Sequence, residues 1–205
     1  MKARIFSTFL IIILFFSGCV VFSFYPLYTE KDLFENDLLT GTWVDDDQTE
    51  WMFEHPLKNK NKPESADKTS YKLTLQYKEF ENSGDSSFDV KVVKLDNNYF
   101  LNFYLNEYYD GEFFDFAQFS VIPVHTFAKV EFEDDVVKIK WFAQDWLRNL
   151  SEQNKIRIHY EKNDDYILLT AKPKELQKFV TKYVNSDERF FEGGIADTEI
   201  VLERK

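Results

Sequence analysis

Tyr71-Lys72-Leu73-Thr74-Leu75-Gln76-Tyr77 has the clearest strand pattern in the chain. Every second side chain in it is aliphatic or aromatic, and the side chains between them are polar or charged. Successive side chains of a β-strand point to opposite faces of a sheet, so this period of two predicts a strand with one buried and one wet face. We therefore expect a protein built around a β-sheet.

The same alternation recurs along the chain, with turn residues between its copies. It returns at residues 88–92, and Asp96-Asn97-Asn98 separates that strand from a further one over residues 99–105. Asp and Asn favour tight turns because their side chains bind nearby backbone donors. Short turns make neighbouring strands antiparallel, and about nine or ten strands are predicted in all. The later predicted strands cover residues 127–132, 136–142, 156–160, 166–170 and 198–203.

Two segments have helical rather than strand periodicity. Residues 144–153 carry Trp146, Leu147 and Leu150 at helical spacing, which predicts a short helix between strands. Residues 173–184 begin with a proline, which suits a first helical turn, and then present a single apolar stripe. We expect the second helix to pack on the sheet or to close one end of it.

A sheet of many short antiparallel strands must hide its edges, and either closing into a barrel or folding into a sandwich achieves this. Gly41-Thr42-Trp43, followed by meandering hairpins and a late helix, resembles the lipocalin-like barrels. That resemblance implies that Trp43 lies across the closed end of the barrel. The fold class we expect is mainly β, an antiparallel meander closing into a lipocalin-like barrel with one or two short helices late in the chain.

The amino terminus has the three-part layout of a secretory signal. Lys2 and Arg4 precede an apolar run over residues 5–16, and Ser17-Gly18-Cys19 follows. This ending resembles the lipobox of bacterial lipoproteins, although Phe16 stands where leucine is usual. The resemblance implies cleavage between Gly18 and Cys19 and attachment of acyl chains such as palmitate to Cys19.

The predicted organisation has three parts. Residues 1–18 form the signal peptide, residues 19–36 a lipid-anchored linker, and residues 37–205 a single β-rich domain. The chain as a whole resembles uncharacterised exported bacterial lipoproteins, a likeness carried by residues 38–43, 169–171 and 175–179. This resemblance implies a location in the cell envelope, on a membrane and facing the periplasm or the exterior, and it implies no activity.

An uncleaved single-pass anchor is the alternative interpretation of the amino terminus. The uncharged run continues past Cys19 to Phe24, which makes 20 residues counted from Ile5. A helix of about 20 residues spans a bilayer core of about 30 Å. Both interpretations place the body of the protein outside the cytoplasm.

The charge balance argues against nucleic acid as a partner. The chain of 205 residues has a net charge of −11, and removal of Lys2 and Arg4 with the leader makes the remainder more negative. Such a surface repels phosphate backbones. The same net charge indicates no basic surface for anionic lipids. The chain has a single cysteine, so no disulfide within it is expected.

No recognised catalytic or metal-binding motif occurs in the sequence. His55, His125 and His159 lie far apart, and no pair has the His-x-x-x-His spacing of a zinc site. Neither a Gly-x-Ser-x-Gly nucleophile elbow nor a glycine-rich phosphate loop is present. We therefore expect no enzyme activity, no metal and no cofactor.

The acidic clusters have a simpler interpretation as turn residues. Asp45-Asp46-Asp47, Asp134-Asp135 and Asp164-Asp165 each fall where a hairpin turn is expected. Calcium is the alternative, best placed at Asp110-Gly111-Glu112 with Asp115, although the Asp-x-Asp-x-Asp-Gly register of a calcium loop is lacking.

Aromatic residues are concentrated between Tyr99 and Phe119. Strand alternation buries only half of such a run on one face, so the remainder must pack under a helix or loop, line a cavity or form an exposed patch. Packing in the core is the simplest account, and a ligand-binding cluster is the alternative. The predicted ligand-lining residues are Trp43, Phe103, Tyr108, Tyr109 and Phe116.

Two functions remain open from the sequence. The first is a membrane-anchored envelope lipoprotein whose barrel is non-catalytic and either structural or binding, with a small hydrophobic ligand or an envelope protein as partner. The alternative is a cell-surface hydrolase acting on envelope or extracellular substrates. A binder should have aromatic side chains at the barrel mouth, whereas an enzyme should bring buried carboxylates or histidines together.

Overall fold

The computed structural model of the protein describes residues 20–57, 66–77, 86–107, 122–184 and 199–205. In these ranges the chain forms eleven β-strands, two α-helices and one short 3-10 turn at Glu30–Asp32. The strands are β1 (Phe22–Ser23), β2 (Gly41–Val44), β3 (Glu50–Glu54), β4 (Ser70–Gln76), β5 (Ser86–Leu95), β6 (Asn98–Glu107), β7 (His125–Glu133), β8 (Val136–Trp141), β9 (Tyr160–Lys162), β10 (Ile167–Leu169) and β11 (Glu199–Arg204). The helices are α1 (Gln144–Glu152) and α2 (Pro173–Val184).

Eight of the strands close into an antiparallel barrel. Their order is β6-β5-β4-β3-β2-β11-β8-β7, and pairing of β6 with β7 completes the ring. The last strand of the chain joins the first strand of the barrel, since Glu203 pairs with Val44 and Arg204 with Trp43. Closure leaves the ring without free edges. The predicted fold class, a mainly β antiparallel barrel with two late helices, is confirmed.

The inward faces of the strands fill the barrel with side chains. Tyr71, Leu73 and Leu75 of β4 are buried there as the alternation predicts, whereas Tyr77 is exposed because the strand ends at Gln76. The buried residues of this barrel core are Leu39, Trp43, Trp51, Phe53, Tyr71, Leu73, Leu75, Val90, Val92, Leu101, Phe103, Ala128, Val130, Val137, Ile139 and Leu202.

A second core lies outside the barrel wall. The outward-facing Val93, Phe100 and Phe127 of β5, β6 and β7 are fully buried, because both helices and the small strands cover them. A strand buried on both faces needs apolar residues at consecutive positions, which explains the aromatic density at the start of β6. This outer core contains Val21, Leu27, Val93, Leu95, Phe100, Phe127, Phe142, Ala143, Trp146, Leu147, Leu150, Ile156, Ile167, Leu169, Leu176, Phe179, Val180 and Tyr183.

Residues 20–40 form a strap around the barrel wall, and β1 is its first part. β1 lies between β7 and β10, pairing antiparallel with the former and parallel with the latter. The Val21 N–H donates to the Phe142 carbonyl at 2.9 Å, and Leu27, further along, is completely buried. Most of the range expected to be a linker, residues 19–36, therefore lies packed against the body, and Cys19 falls outside the described residues.

One local prediction differs from the structure. The strand predicted over residues 156–160 is wrong, since β9 is Tyr160–Lys162 and the preceding residues form a loop after α1. Asn154 in that loop has a φ of 54°, and the Lys155 N–H donates to the Leu150 carbonyl at 2.8 Å, which ends the helix in a tight turn. Ile156 keeps its apolar environment by packing into the outer core. In the described ranges no helix is long and apolar enough to cross a bilayer.

Candidate functional site

The structure describes two of the five predicted ligand-lining residues, and both belong to the barrel core. Trp43 is 1% exposed and Phe103 is 3% exposed. The Phe103 ring lies 4.7 Å from the ring of Trp141 on β8, whereas the contacts of Trp43 are made with the strap and with β11. Tyr108, Tyr109 and Phe116 lie outside the described residues, as do Gly18, Cys19 and the calcium alternative at residues 110–115.

Trp43 closes one end of the barrel together with Arg204. The indole N–H of Trp43 donates to the Leu39 carbonyl at 2.7 Å, and the Arg204 guanidinium lies 4.2 Å from the ring centroid. The guanidinium also donates to the carbonyls of Thr40 at 3.2 Å and Leu38 at 3.5 Å. A cation over an indole face is attracted to the ring, so this stack fastens the end of the strap to both terminal strands of the barrel.

Gly41 is required by this arrangement. Its φ is 118°, a backbone conformation that residues with a side chain rarely adopt. A Cβ atom built at Gly41 would also come within 3.4 Å of the Arg204 guanidinium. The glycine of the Gly-Thr-Trp tripeptide therefore permits both the backbone bend and the close approach of Arg204.

Two open clefts flank Leu38 at this closed end. One has a volume of about 480 Å³ and lies between Leu38 and the Trp43–Arg204 stack, with Phe132 and Asp134 on its far side. The other has a volume of about 430 Å³ and is lined by Phe34, Tyr99 and Phe132 among others. Leu38 is 48% exposed and separates them. Both clefts lie on the outer surface rather than inside the barrel core.

Among the residues that the structure describes, two buried hydroxyl groups have no hydrogen-bond partner. They are the side chains of Ser87 on β5 and Thr126 on β7. Thr126 pairs in register with Phe103, and its neighbour Phe127 points into the outer core, so Thr126 faces the barrel side of the sheet. A lone hydroxyl is too small a set of polar groups to define a ligand site.

The three histidines lie in separate environments. His55 stacks on Tyr71 with ring centroids 4.3 Å apart, and its Nε2 lies 3.0 Å from Asp37. His159 is exposed and lies 3.1 Å from Glu175. In the part of the chain that the structure describes, no group of three or more His, Cys, Asp or Glu side chains is arranged to hold a metal ion.

His125 is the most perturbed of the histidines. Burial lowers its pKa to about 4, because the charged ring would lose its hydration. Its Nδ1 accepts a hydrogen bond from the Asn102 Nδ2 at 3.1 Å, which places the neutral ring's proton on Nε2. The Asn102 Oδ1 in turn accepts the Leu27 N–H at 3.0 Å. Asn102 therefore links the strap to the barrel wall and fixes the form of the His125 ring.

The carboxylates act in turns and surface ion pairs. Asp45 accepts the Thr49 N–H at 2.8 Å and the Trp51 indole N–H at 2.9 Å, which confirms the turn expected at Asp45-Asp46-Asp47. The turns expected at Asp134-Asp135 and Asp164-Asp165 are confirmed as well, since they join β7 to β8 and β9 to β10.

Two of the described carboxylates with a lowered pKa have cations as their main partners. Lys68, with a smaller contribution from His55, holds the pKa of Asp37 below its usual value, and Lys129 with Lys140 does the same for Glu131. An acid that is held charged by a cation stabilises structure and is a poor proton donor.

Sequence reasoning missed Arg204 and Asn102. Arg204 lies at the chain terminus far from Trp43 in sequence, and only barrel closure brings the two together. Asn102 interrupts an otherwise apolar strand, which is a usable signal, because a polar residue at a buried position needs partners. Comparison with known protein families, curated protein sequences and solved structures finds no match to this chain.

Proposed function

We propose that the protein is an exported envelope lipoprotein, fastened to a membrane through acylated Cys19, whose barrel is a non-catalytic structural or protein-binding unit. The observation that carries this proposal is the filled barrel core. Trp43, Trp51, Phe53 and Tyr71 occupy the space in which a ligand-carrying barrel would hold its ligand. The accessible surface for recognition is then on the outside, where an envelope protein is a better fit than a small hydrophobic molecule.

The strap supports acylation over a single-pass anchor. A membrane helix over residues 5–24 would need Val20 to Ser23 in the bilayer, yet these residues bridge to Ala143 and pair with β7 and β10. The apolar run available to a helix then ends at Cys19, and 15 residues at 1.5 Å each reach only about 22 Å. That length suits a cleaved signal better than a spanning segment.

The ionisable groups support a non-catalytic role. General acid–base chemistry needs a convergent set of groups with pKa values near the working pH. Across the ranges that the structure covers, the perturbed carboxylates are held charged by surface lysines, hydroxyls and amides, and the half-buried His125 has only Asn102 as its side-chain hydrogen-bond partner. No feature of the described residues favours the hydrolase alternative.

The anchor is tested by the mass of the mature amino terminus. In cells given a labelled palmitate analogue, the native protein should carry the label and begin at Cys19, and Cys19→Ser should remain unlabelled with its leader attached. Phe16→Leu restores the usual lipobox residue and should increase the fraction processed, which makes it a matched gain-of-function control. Recovery of native protein that retains Met1 and carries no label contradicts the proposal.

The filled barrel is tested on the same material. Native mass spectrometry of the acylated protein released from detergent should give the mass of the protein with its own acyl chains and no additional apolar molecule. Crosslinking in intact cells should join the protein to an envelope protein. A stoichiometric small molecule that persists across preparations would contradict the filled-barrel interpretation.

A further inference from the structure

Helix α2 carries a local positive charge that contrasts with the rest of the molecule. Residues 172–182 contain four lysines and one glutamate, which gives this segment a net charge of +3 in a chain whose net charge is −11. The lysines are Lys172, Lys174, Lys178 and Lys182, and all four are exposed. The net charge of the chain conceals this local surface, which explains why the sequence indicated no basic surface for anionic lipids.

The lysines form a single stripe on the outer side of the helix. Lys174, Lys178 and Lys182 are four residues apart, and residues with this spacing lie above one another on a helix. The opposite side of α2 packs into the outer core through Leu176, Phe179, Val180 and Tyr183. The stripe, defined as Lys172, Lys174, Lys178 and Lys182, therefore points away from the protein.

The stripe is unfavourable for the helix itself. Lysines four residues apart repel each other, and a cation in the first turn, where Lys174 lies, opposes the positive end of the helix dipole. Among the described residues no carboxylate pairs with Lys174 or Lys178, and Glu175 instead faces His159 at 3.1 Å. Lys182 lies over the Tyr183 ring at 4.5 Å. Lys182, in the last turn, is favoured by the helix dipole, whereas the repulsion within the stripe and the position of Lys174 oppose helix stability, as is expected where charges serve binding.

The stripe lies close to the predicted point of membrane attachment. In the middle of α2, the Gln177 amide donates to the Leu27 carbonyl and to Asp32, both at 2.9 Å. Leu27 follows Cys19 by eight residues, so a fully extended chain would place the two at most about 28 Å apart. An acyl chain on Cys19 therefore holds α2 within a protein diameter of the lipid surface.

We propose that the outer face of α2 binds the phosphate groups of anionic phospholipids, with Lys174 and Lys178 at the centre of the contact. Charge complementarity selects this partner, because a membrane surface with anionic lipids attracts lysines that the body's own acidic surface leaves unpaired. The stripe would orient the barrel on the membrane, whereas the acyl chains would only retain it there. This inference rests on the proposed function for the nearness of the membrane, and its test separates the two.

The test compares lysine modification in two vesicle types. The full-length processed protein is incorporated into vesicles of phosphatidylcholine alone or of phosphatidylcholine with phosphatidylglycerol, and is then treated briefly with an amine-acylating reagent. Mass spectrometry should show modification of Lys174 and Lys178 slowed by about threefold or more in the anionic vesicles. Lys72, on the uncovered wall of the barrel, should react equally in both. High salt should remove the difference, since about 1 M salt shortens the screening length to about 3 Å.

Variants give the second readout. In K174Q/K178Q, modification of the remaining stripe residue Lys182 should be slowed little or not at all by anionic vesicles, whereas in the control K72Q/K205Q, with equal loss of charge, Lys182 should be slowed as in the native protein. Equal modification of Lys174 and Lys178 in the two vesicle types overturns the inference. So does protection of these lysines by another envelope protein in place of lipid.

The experiment distinguishes an error in the proposed acylation of Cys19 from an error in the proposed lipid binding by the stripe. Protein that leaves neutral vesicles entirely contradicts acylation at Cys19, and the stripe is then judged by salt-sensitive association with anionic vesicles alone. If the protein stays on both vesicle types and Lys174 and Lys178 are modified equally fast in both, the acylated anchor is supported and lipid binding by the stripe is contradicted.

Discussion

The Arg204 guanidinium lies 4.2 Å from the centre of the Trp43 indole ring and joins the last strand of the barrel to the first. The same guanidinium binds the carbonyl of Thr40, and Trp43 binds that of Leu39, so the strap ends inside this stack. Side chains of the first and last barrel strands along the chain thus join these strands, in addition to the β2–β11 backbone pairing.

Removing Arg204 should weaken the closed end. We expect Arg204→Ala to lower the free energy of unfolding by about 1 to 2 kcal/mol, because the cation over the indole and the hydrogen bonds to the strap are both lost. Chemical denaturation monitored by tryptophan fluorescence measures this. Arg148→Ala removes a similar charge from an exposed pair on α1 and should change stability by less than about 0.5 kcal/mol. Equal effects of the two substitutions would contradict a special role for Arg204.

Gly41→Ala should destabilise the barrel by about 1 to 3 kcal/mol. The backbone there has a φ of 118°, and the added methyl group would come into van der Waals contact with Arg204. A double-mutant cycle with Arg204→Ala separates these two causes, since the backbone strain persists without the guanidinium and the steric part does not. If Gly41→Ala has no effect on the free energy of unfolding in the Arg204→Ala background, the backbone conformation contributes nothing.

The elements that follow from local pattern were predictable from the sequence. The turn at Asp96 and the helix from Pro173 to Val184 were predicted to within a residue because turn chemistry, proline placement and helical periodicity are local signals. Strand β1 could not be found in this way. Phe22 and Ser23 continue an uncharged run that begins in the leader, so their composition indicated membrane rather than sheet.

The candidate sites depend on contacts that local pattern does not encode. Trp43 was expected at the closed end by resemblance, but its partner Arg204 comes from the opposite end of the chain. Phe103 was expected to line a ligand space and instead packs on Trp141 in the core. The lysines of the stripe are evident in the sequence. They form one exposed surface because the opposite face of α2 is buried.

Stability should fall as the pH drops from about 6.5 to about 4 because of His125. Its folded pKa is about 4 and its ordinary value is 6.5, so in this window the unfolded chain binds a proton that the folded protein does not. Above pH 6.5 His125 makes its full contribution to the free energy of unfolding. Since the ring is only partly buried, we expect a loss of about 1 to 2 kcal/mol rather than the full value of the shift. His125→Gln should flatten the difference in unfolding free energy between pH 7 and pH 4.5. Parallel pH profiles for the two proteins would refute this.

Asn102→Leu should loosen the strap locally. The substitution keeps the volume of the side chain but leaves the Leu27 N–H and the His125 Nδ1 without their partners, at a cost of about 2 kcal/mol. Hydrogen exchange measured by NMR should accelerate at the Leu27 amide much more than at Leu73, which lies in the barrel ladder. Uniform acceleration at both amides would mean that Asn102 supports the barrel as a whole.

The strap should behave as part of the core, although the sequence indicated a linker. Leu27 is completely buried against the barrel wall, whereas Phe24, three residues earlier, is 49% exposed. Leu27→Ala should therefore lower the free energy of unfolding by about 2 to 4 kcal/mol, since it removes buried methyl groups and leaves a cavity. Phe24→Ala removes a larger side chain and should cost less than about 1 kcal/mol, because about half of that side chain is already in water in the folded protein. If residues 20–36 were a flexible tether, both substitutions would be neutral. Denaturation of the two variants therefore decides whether the folded domain begins at residue 37 or at Val21.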